Sequence, residues 1–180
     1  MKKLSDFFYS KANGYLVLGF LAAQSVFSGA ILPYFQKQFD PEMNRGLMDL
    51  SFGFTPEKGY SILESYGEKG REVYLFVESF VDIVYPLIYT TAFILLLSFL
   101  FKKNGCNLGS LNLLPLGSLA FDLCENFGIV KMLNAFPEKA NFWAAFSSNL
   151  GIVKWVFAGL TIIAILISLV MWGVNALRKK

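Results

Sequence analysis

The sequence predicts an all-α integral membrane protein, a single-domain four-helix bundle with one short amphipathic extramembrane helix in its first connection. Three observations carry that expectation. Of 180 residues, 55% are hydrophobic and only 16% are charged, against about a quarter in soluble domains. Four segments, 15–34, 79–101, 111–133 and 155–174, reach the roughly 20 apolar residues that a hydrocarbon core requires. Lys2, Lys3 and Lys11 precede the first span, Lys102 and Lys103 follow the second, and Arg178, Lys179 and Lys180 follow the fourth. If the spans alternate, all these cations fall on one side, so both termini are expected to be cytoplasmic. The membrane would be a bacterial inner membrane or, in a eukaryotic cell, the endoplasmic reticulum. The net charge of +3 is accounted for by these anchoring residues and makes no case for nucleic-acid binding.

Taken in order, Met1 to Gly14 mixes lysines with Phe7, Phe8 and Tyr9, which suits an interfacial segment at the headgroups. The first span is too long for a signal-peptide core and lacks a small-x-small cleavage site. Its polar residues Gln24 and Ser28 are four apart and share a face, which suits either helix packing or the lining of a pocket. The connection 35–78 is acidic and expected outside. Within it, Thr55-Pro56-Glu57 reads as a helix start and Gly67 as a stop, placing a short helix over 56–66 whose aromatic face either covers the outer mouth or rests on the bilayer.

In the second span, Arg71, Glu78, Asp82, Tyr85 and Tyr89 recur at helical spacing as one polar stripe, with Pro86 expected to kink it. In the third span, Asp122, Glu125 and Asn126 share a face. Counted from the cytoplasmic ends at 1.5 Å per residue, Asp122 lies about 16 Å deep, Glu125 about 21 Å, Tyr89 about 18 Å and Gln24 about 14 Å. These residues should form one polar layer in the outer half of the membrane. Arg71 and Glu78 would stand at its mouth. Lys131 is expected to snorkel to the outer headgroups. The segment 134–154, with Pro137 and the aromatics Phe142, Trp143 and Phe146, reads as an interfacial connection. The fourth span reads as a charge-free, lipid-facing scaffold.

Carboxylates at bilayer depth are costly and need partners, protons or a purpose. By this reading only Arg71 and Lys131 are placed to neutralise them, so Asp122 and Glu125 are expected to share a proton. The chain has no histidine, which excludes Cys–His catalysis and histidine metal sites, and no cofactor or metal is expected. Cys106 and Cys124 are expected as free thiols. The preferred reading is a pocket for a membrane lipid or amphipathic small molecule, lined by Gln24, Ser28, Asp82, Tyr85, Tyr89, Asp122, Glu125 and Asn126. A carboxylate-only lipid isomerase, with Asp122 and Glu125 as its acid–base pair, is an alternative. So is a proton- or cation-coupled transporter, for which a homodimer would supply a path. A polar clamp with a purely structural role stands against all three.

The layout of four spans, cytoplasmic termini, a long outside connection, an acid shortly before a proline (Asp82 and Pro86) and a basic tail (Arg178-Lys179-Lys180) resembles the EXPERA group of membrane proteins, which holds the sigma-two receptor and the emopamil-binding isomerases. The resemblance covers topology over most of the chain and implies a cavity whose acids, here Asp82, Asp122 and Glu125, bind amines and sterols. The chain departs from the isomerase members in lacking histidine. The run Asp122-Leu123-Cys124-Glu125-Asn126 is also similar in style to small bacterial four-span membrane proteins.

Overall fold

A computed structural model describes residues 1–44 and 46–178; the tail residues Lys179 and Lys180 of the orientation argument lie outside the described residues. Among the described residues, six helices account for most of the chain and no strand occurs. Helix α1 is Lys2–Lys11 and α3 is Pro56–Ser65. The other four, α2 (Gly14–Phe39), α4 (Gly67–Lys103), α5 (Gly109–Ala135) and α6 (Asn141–Arg178), are long and apolar enough to cross a membrane.

Local chemistry sets the starts. The Asn13 side chain accepts a hydrogen bond from Leu16 N at 3.0 Å and Thr55 Oγ1 one from Lys58 N at 3.3 Å, each satisfying a backbone donor that the first helical turn leaves without a partner. Gly67, at φ +68°, turns the chain from α3 directly into α4 in a conformation that side chains rarely adopt. Two of the long helices contain a π turn, Phe27–Ile31 in α2 and Val77–Val81 in α4. Each precedes a proline whose ring crowds the carbonyl four residues back: Gly29 for Pro33 and Asp82 for Pro86. The distortion expected at Pro86 thus sits one turn earlier, as an extra residue wound into the helix.

Packing divides the bundle into two ends. Helices α5 and α6 lie against each other along most of their length, α4 packs on both, and α2 packs chiefly on α4. At the basic end, Leu97, Leu100, Phe101 and Ile165 form an apolar core. There α1 does more than lie at a surface: Ser5 is buried, and its Oγ donates to Asn112 Oδ1 at 2.7 Å. At the opposite, loop end the first connection folds inward. Met48 and Phe54 join Phe39, Tyr66, Tyr74 and Met132 in a second core, to which α3 contributes Tyr60, Ile62 and Leu63. Helix α3 therefore covers the mouth of the bundle with its apolar face.

The fourth long helix corrects the expected boundaries. It is continuous over 38 residues from Asn141. Phe142, Trp143 and Phe146 stand on its first turns, their rings 5.1–6.2 Å apart, rather than in a loop. Its outward apolar face, with Leu160, Ile163, Leu166, Ile167 and Val170 exposed, fits the scaffold expectation, but its inward face does not.

Candidate functional site

That inward face repeats at alternating four- and three-residue steps: Ser147, Gly151, Lys154, Ala158, Thr161, Ile165 and Ser168. Such a seam of small residues lets two helices approach closely. A Cβ on Gly117 of α5 would collide with the Phe157 ring, and one on Gly128 with Ser147 Oγ. Lys154 points from this seam into α5 and is only 7% exposed. Its ammonium lies 2.6 Å from Glu125 Oε2 and 3.1 Å from Asp122 Oδ1, and it donates to the Asp49 carbonyl at 2.7 Å. An ammonium has three donors, and here three acceptors surround it. The Trp155 ring adds a cation–π contact at 5.5 Å.

Lys154 overturns two expectations: that the segment 134–154 is an interfacial connection, and that Arg71 and Lys131 are the cations placed to answer the acids. The physical reason is that α6 continues past the apolar run, so a residue assigned to a connection lies inside the bundle. Lys131 is exposed, 5.1 Å from the Phe127 ring. Arg71 stacks on Phe136 at 4.0 Å and donates to the Leu63 carbonyl at 3.2 Å. The π turn explains this displacement. By ordinary helical spacing Arg71 and Asp82 share a face, but one extra residue between them turns Arg71 away by about 100°.

The other polar residues interlock around this centre. Tyr89 OH donates to Asp122 Oδ2 at 2.7 Å and lies 3.4 Å from Ser118 Oγ. Asn126 Nδ2 donates both to Asp82 Oδ2 at 2.8 Å and to the Asp82 carbonyl at 2.9 Å. That carbonyl is the one Pro86 leaves without its helical donor, so Asn126 repairs the backbone and fixes the carboxyl together. Ser147 Oγ donates to the Glu125 carbonyl at 3.1 Å. Gly151 leaves room for the Glu125 carboxylate, which a Cβ there would strike at Oε1.

Two adjoining crevices open beside this layer, each of about 180 Å³, with Asp49, Leu50, Asp82 and Tyr85 in both walls. The first is completed by Gln24, Tyr89, Phe93, Ser118, Asp122, Lys154, Trp155 and Ala158. The second includes Ser28, Phe39, Tyr74 and Glu78. Gln24 Nε2 donates to Tyr85 OH at 3.4 Å, and the Tyr85 ring stacks on Phe27 at 6.0 Å. The structure therefore brings Gln24, Asp82, Tyr85, Tyr89 and Asp122 to one cavity and Ser28 and Glu78 to its neighbour. Glu125 and Asn126 stand behind the walls, holding Lys154 and Asp82 in place. Arg71 lines neither crevice.

Sequence reasoning missed Lys154 and Asp49. The signal for Lys154 was the four-three repeat of small residues running through it. Asp49 lies on the irregular part of the connection, where no periodicity marks it. Its carboxyl is pushed above the ordinary value of 3.8, chiefly by burial, with the Asp122 charge adding to the effect and Lys154 opposing it. Four carboxyl groups, Asp49, Asp82, Asp122 and Glu125, thus gather near one ammonium, with Glu78 in the adjoining crevice, and Glu78 Oε2 and Asp49 Oδ1 are sealed from solvent without a hydrogen-bond partner. Among the described residues no group of three or more acids or cysteines is arranged to hold a metal ion. Both cysteines are free thiols.

Comparisons with protein-family models, with curated proteins and with solved structures gave no match.

Proposed function

We propose that α2, α4, α5 and α6 span a bilayer with the basic end in the cytoplasm, and that the paired crevices bind a lipid or amphipathic small molecule from the outer half of the membrane. The observation that carries the reading is a cavity with aromatic walls whose carboxyl groups outnumber their internal donors. Tyr85, Tyr89, Phe93 and Trp155 supply the apolar enclosure, while Asp49, Asp82 and Glu78 present acceptor oxygens to a hydroxyl or amine. Together the crevices reach the lower end of small-molecule sites, about 300 Å³. The EXPERA-like layout is consistent with this proposal and is part of it.

Binding is favoured over catalysis because Lys154, Asp122 and Glu125 are committed to one another. That triplet also favours a second role for part of the constellation. Asp122 and Glu125 act as the structural clamp that compensates a buried cation, leaving Asp82 as the ligand-facing acid. Native mass spectrometry of the detergent-purified protein exposed to lipid extract tests the proposal. A retained small molecule whose occupancy falls about tenfold in Asp82→Asn, with unfolding temperature unchanged, is the expected result. Retention of nothing by the wild-type protein, or undiminished retention by the variant, overturns it.

A further inference from the structure

The basic end contains a cleft of about 430 Å³ between the last turns of α4 and α6, walled by Lys102, Lys103, Asn104, Gly105, Asn175 and Arg178. We infer that this cleft is a binding site for the phosphate of an anionic lipid headgroup. The inference rests on the proposed membrane placement and is independent of the acidic crevices. A bias of cations towards the cytoplasmic face is enough to put lysines at this end. It does not build a cleft with cations on two opposing helices.

The cleft is built by its amides. Asn104 Nδ2 donates to the Ser168 carbonyl at 2.9 Å, and Asn175 Nδ2 donates to Asn104 Oδ1 at 3.2 Å, which ties the turn after α4 to α6. Lys102 is fixed as well, donating to the carbonyls of Ser10 and Ala12 at 2.9 Å each, so one of its three N–H donors remains. Lys103 and Arg178 are exposed beside it. No acid lines the cleft, and among the described residues the ion pairs formed are those of Lys154. Lys102, Lys103 and Arg178 thus line one space with no acid beside it, and a phosphate is the group whose charge and acceptor oxygens match the donors of Lys103 and Arg178 with the one left on Lys102.

The surroundings assign that phosphate to a lipid. Trp172 sets its edge against Phe99 at 6.3 Å next to Lys103, whose ammonium lies 5.3 Å from the same Phe99 ring. From the rim, Val170, Val174 and Leu177 of α6 form an exposed apolar surface along which acyl chains can lie. Basic pockets between helices at the cytoplasmic face hold anionic headgroups in this way.

The test uses the full chain in neutral detergent, with native mass spectrometry reading retained lipid. The probes are phosphatidylglycerol, phosphatidylcholine with the same acyl chains, and inorganic phosphate. The comparison is between wild type, the Lys103→Gln/Arg178→Gln double variant, and Lys131→Gln as a control at the other end. We expect retention of phosphatidylglycerol well above phosphatidylcholine, a loss of about tenfold or more in the double variant, and no change in Lys131→Gln. Equal retention of the two lipids, or full retention by the double variant, overturns the inference. So does displacement of phosphatidylglycerol by equimolar inorganic phosphate, which would make this a site for free phosphate.

Discussion

Two buried polar networks among the described residues differ in charge, in how far their groups are satisfied and in what surrounds them. At the basic end Asn112 is 1% exposed; its Nδ2 donates to the Ser5 carbonyl at 3.2 Å and to Ser98 Oγ at 2.8 Å, and its Oδ1 accepts from Ser5 Oγ. That network is neutral, closed and surrounded by packed Leu, Ile and Phe side chains. The layer around Lys154 is charged, keeps carboxyl oxygens without partners, and borders empty space. Polar residues that satisfy one another fasten helices together. Polar residues with acceptors left over, beside a cavity, are suited to meeting something else.

The contrast can be tested most severely at Lys154. Replacement by Met removes the cation and leaves Asp122 and Glu125 facing each other, so thermal unfolding in detergent should show a loss of about 3–5 kcal/mol. Adding Asp122→Asn and Glu125→Gln to Lys154→Met should recover most of it. An unchanged unfolding temperature in Lys154→Met would show that the three groups are not a linked unit. Asn112→Ala should cost about 1–3 kcal/mol, because the Ser5 carbonyl and Ser98 Oγ lose a donor while Ser5 Oγ keeps the Gly109 carbonyl, yet leave amphiphile retention as in wild type. A fall in retention there would erase the distinction between the two networks.

Gly151→Ala sharpens the comparison from the packing side. The new methyl group must displace the Glu125 carboxylate from Lys154, with an expected cost of about 1–3 kcal/mol in the same unfolding assay. The smallest effect is a pH slope from Asp49. A carboxyl held above its ordinary value gives the folded state its full benefit below that value and loses it as pH rises through the raised one. Asp49→Asn should therefore gain stability relative to wild type as pH climbs from about 4 towards neutrality, a trend followed by unfolding temperature across buffers. A gap between the two proteins that does not vary with pH would show that Asp49 keeps its ordinary titration.

The four long helices were legible because their apolar runs are long enough to stand out from any connection. The start of α3 was legible because Thr55 and Pro56 have few other local roles. The outward continuation of α6 was not, since Ser147, Ser148 and Lys154 lower the hydropathy there although they are buried against the rest of the bundle. Of the site, helical rise alone placed Gln24, Tyr89 and Asp122 at similar heights along their helices, and the three line one crevice. The turning away of Arg71 could not, because a π turn changes the register and prolines two or five residues downstream do not specify one. Which carboxyl group faces the cavity depended on locating the cation.

Lys154 also restricts how this sequence can change over generations. Its charge is answered by two residues on another helix, so loss of the lysine alone strands two acids, and loss of the acids alone strands the lysine. A lineage leaving this arrangement would have to neutralise one acid while the other still holds the cation, then replace the lysine, then the last acid. The triplet is therefore a ratchet: simple to keep, and open to exit by few orders of substitution.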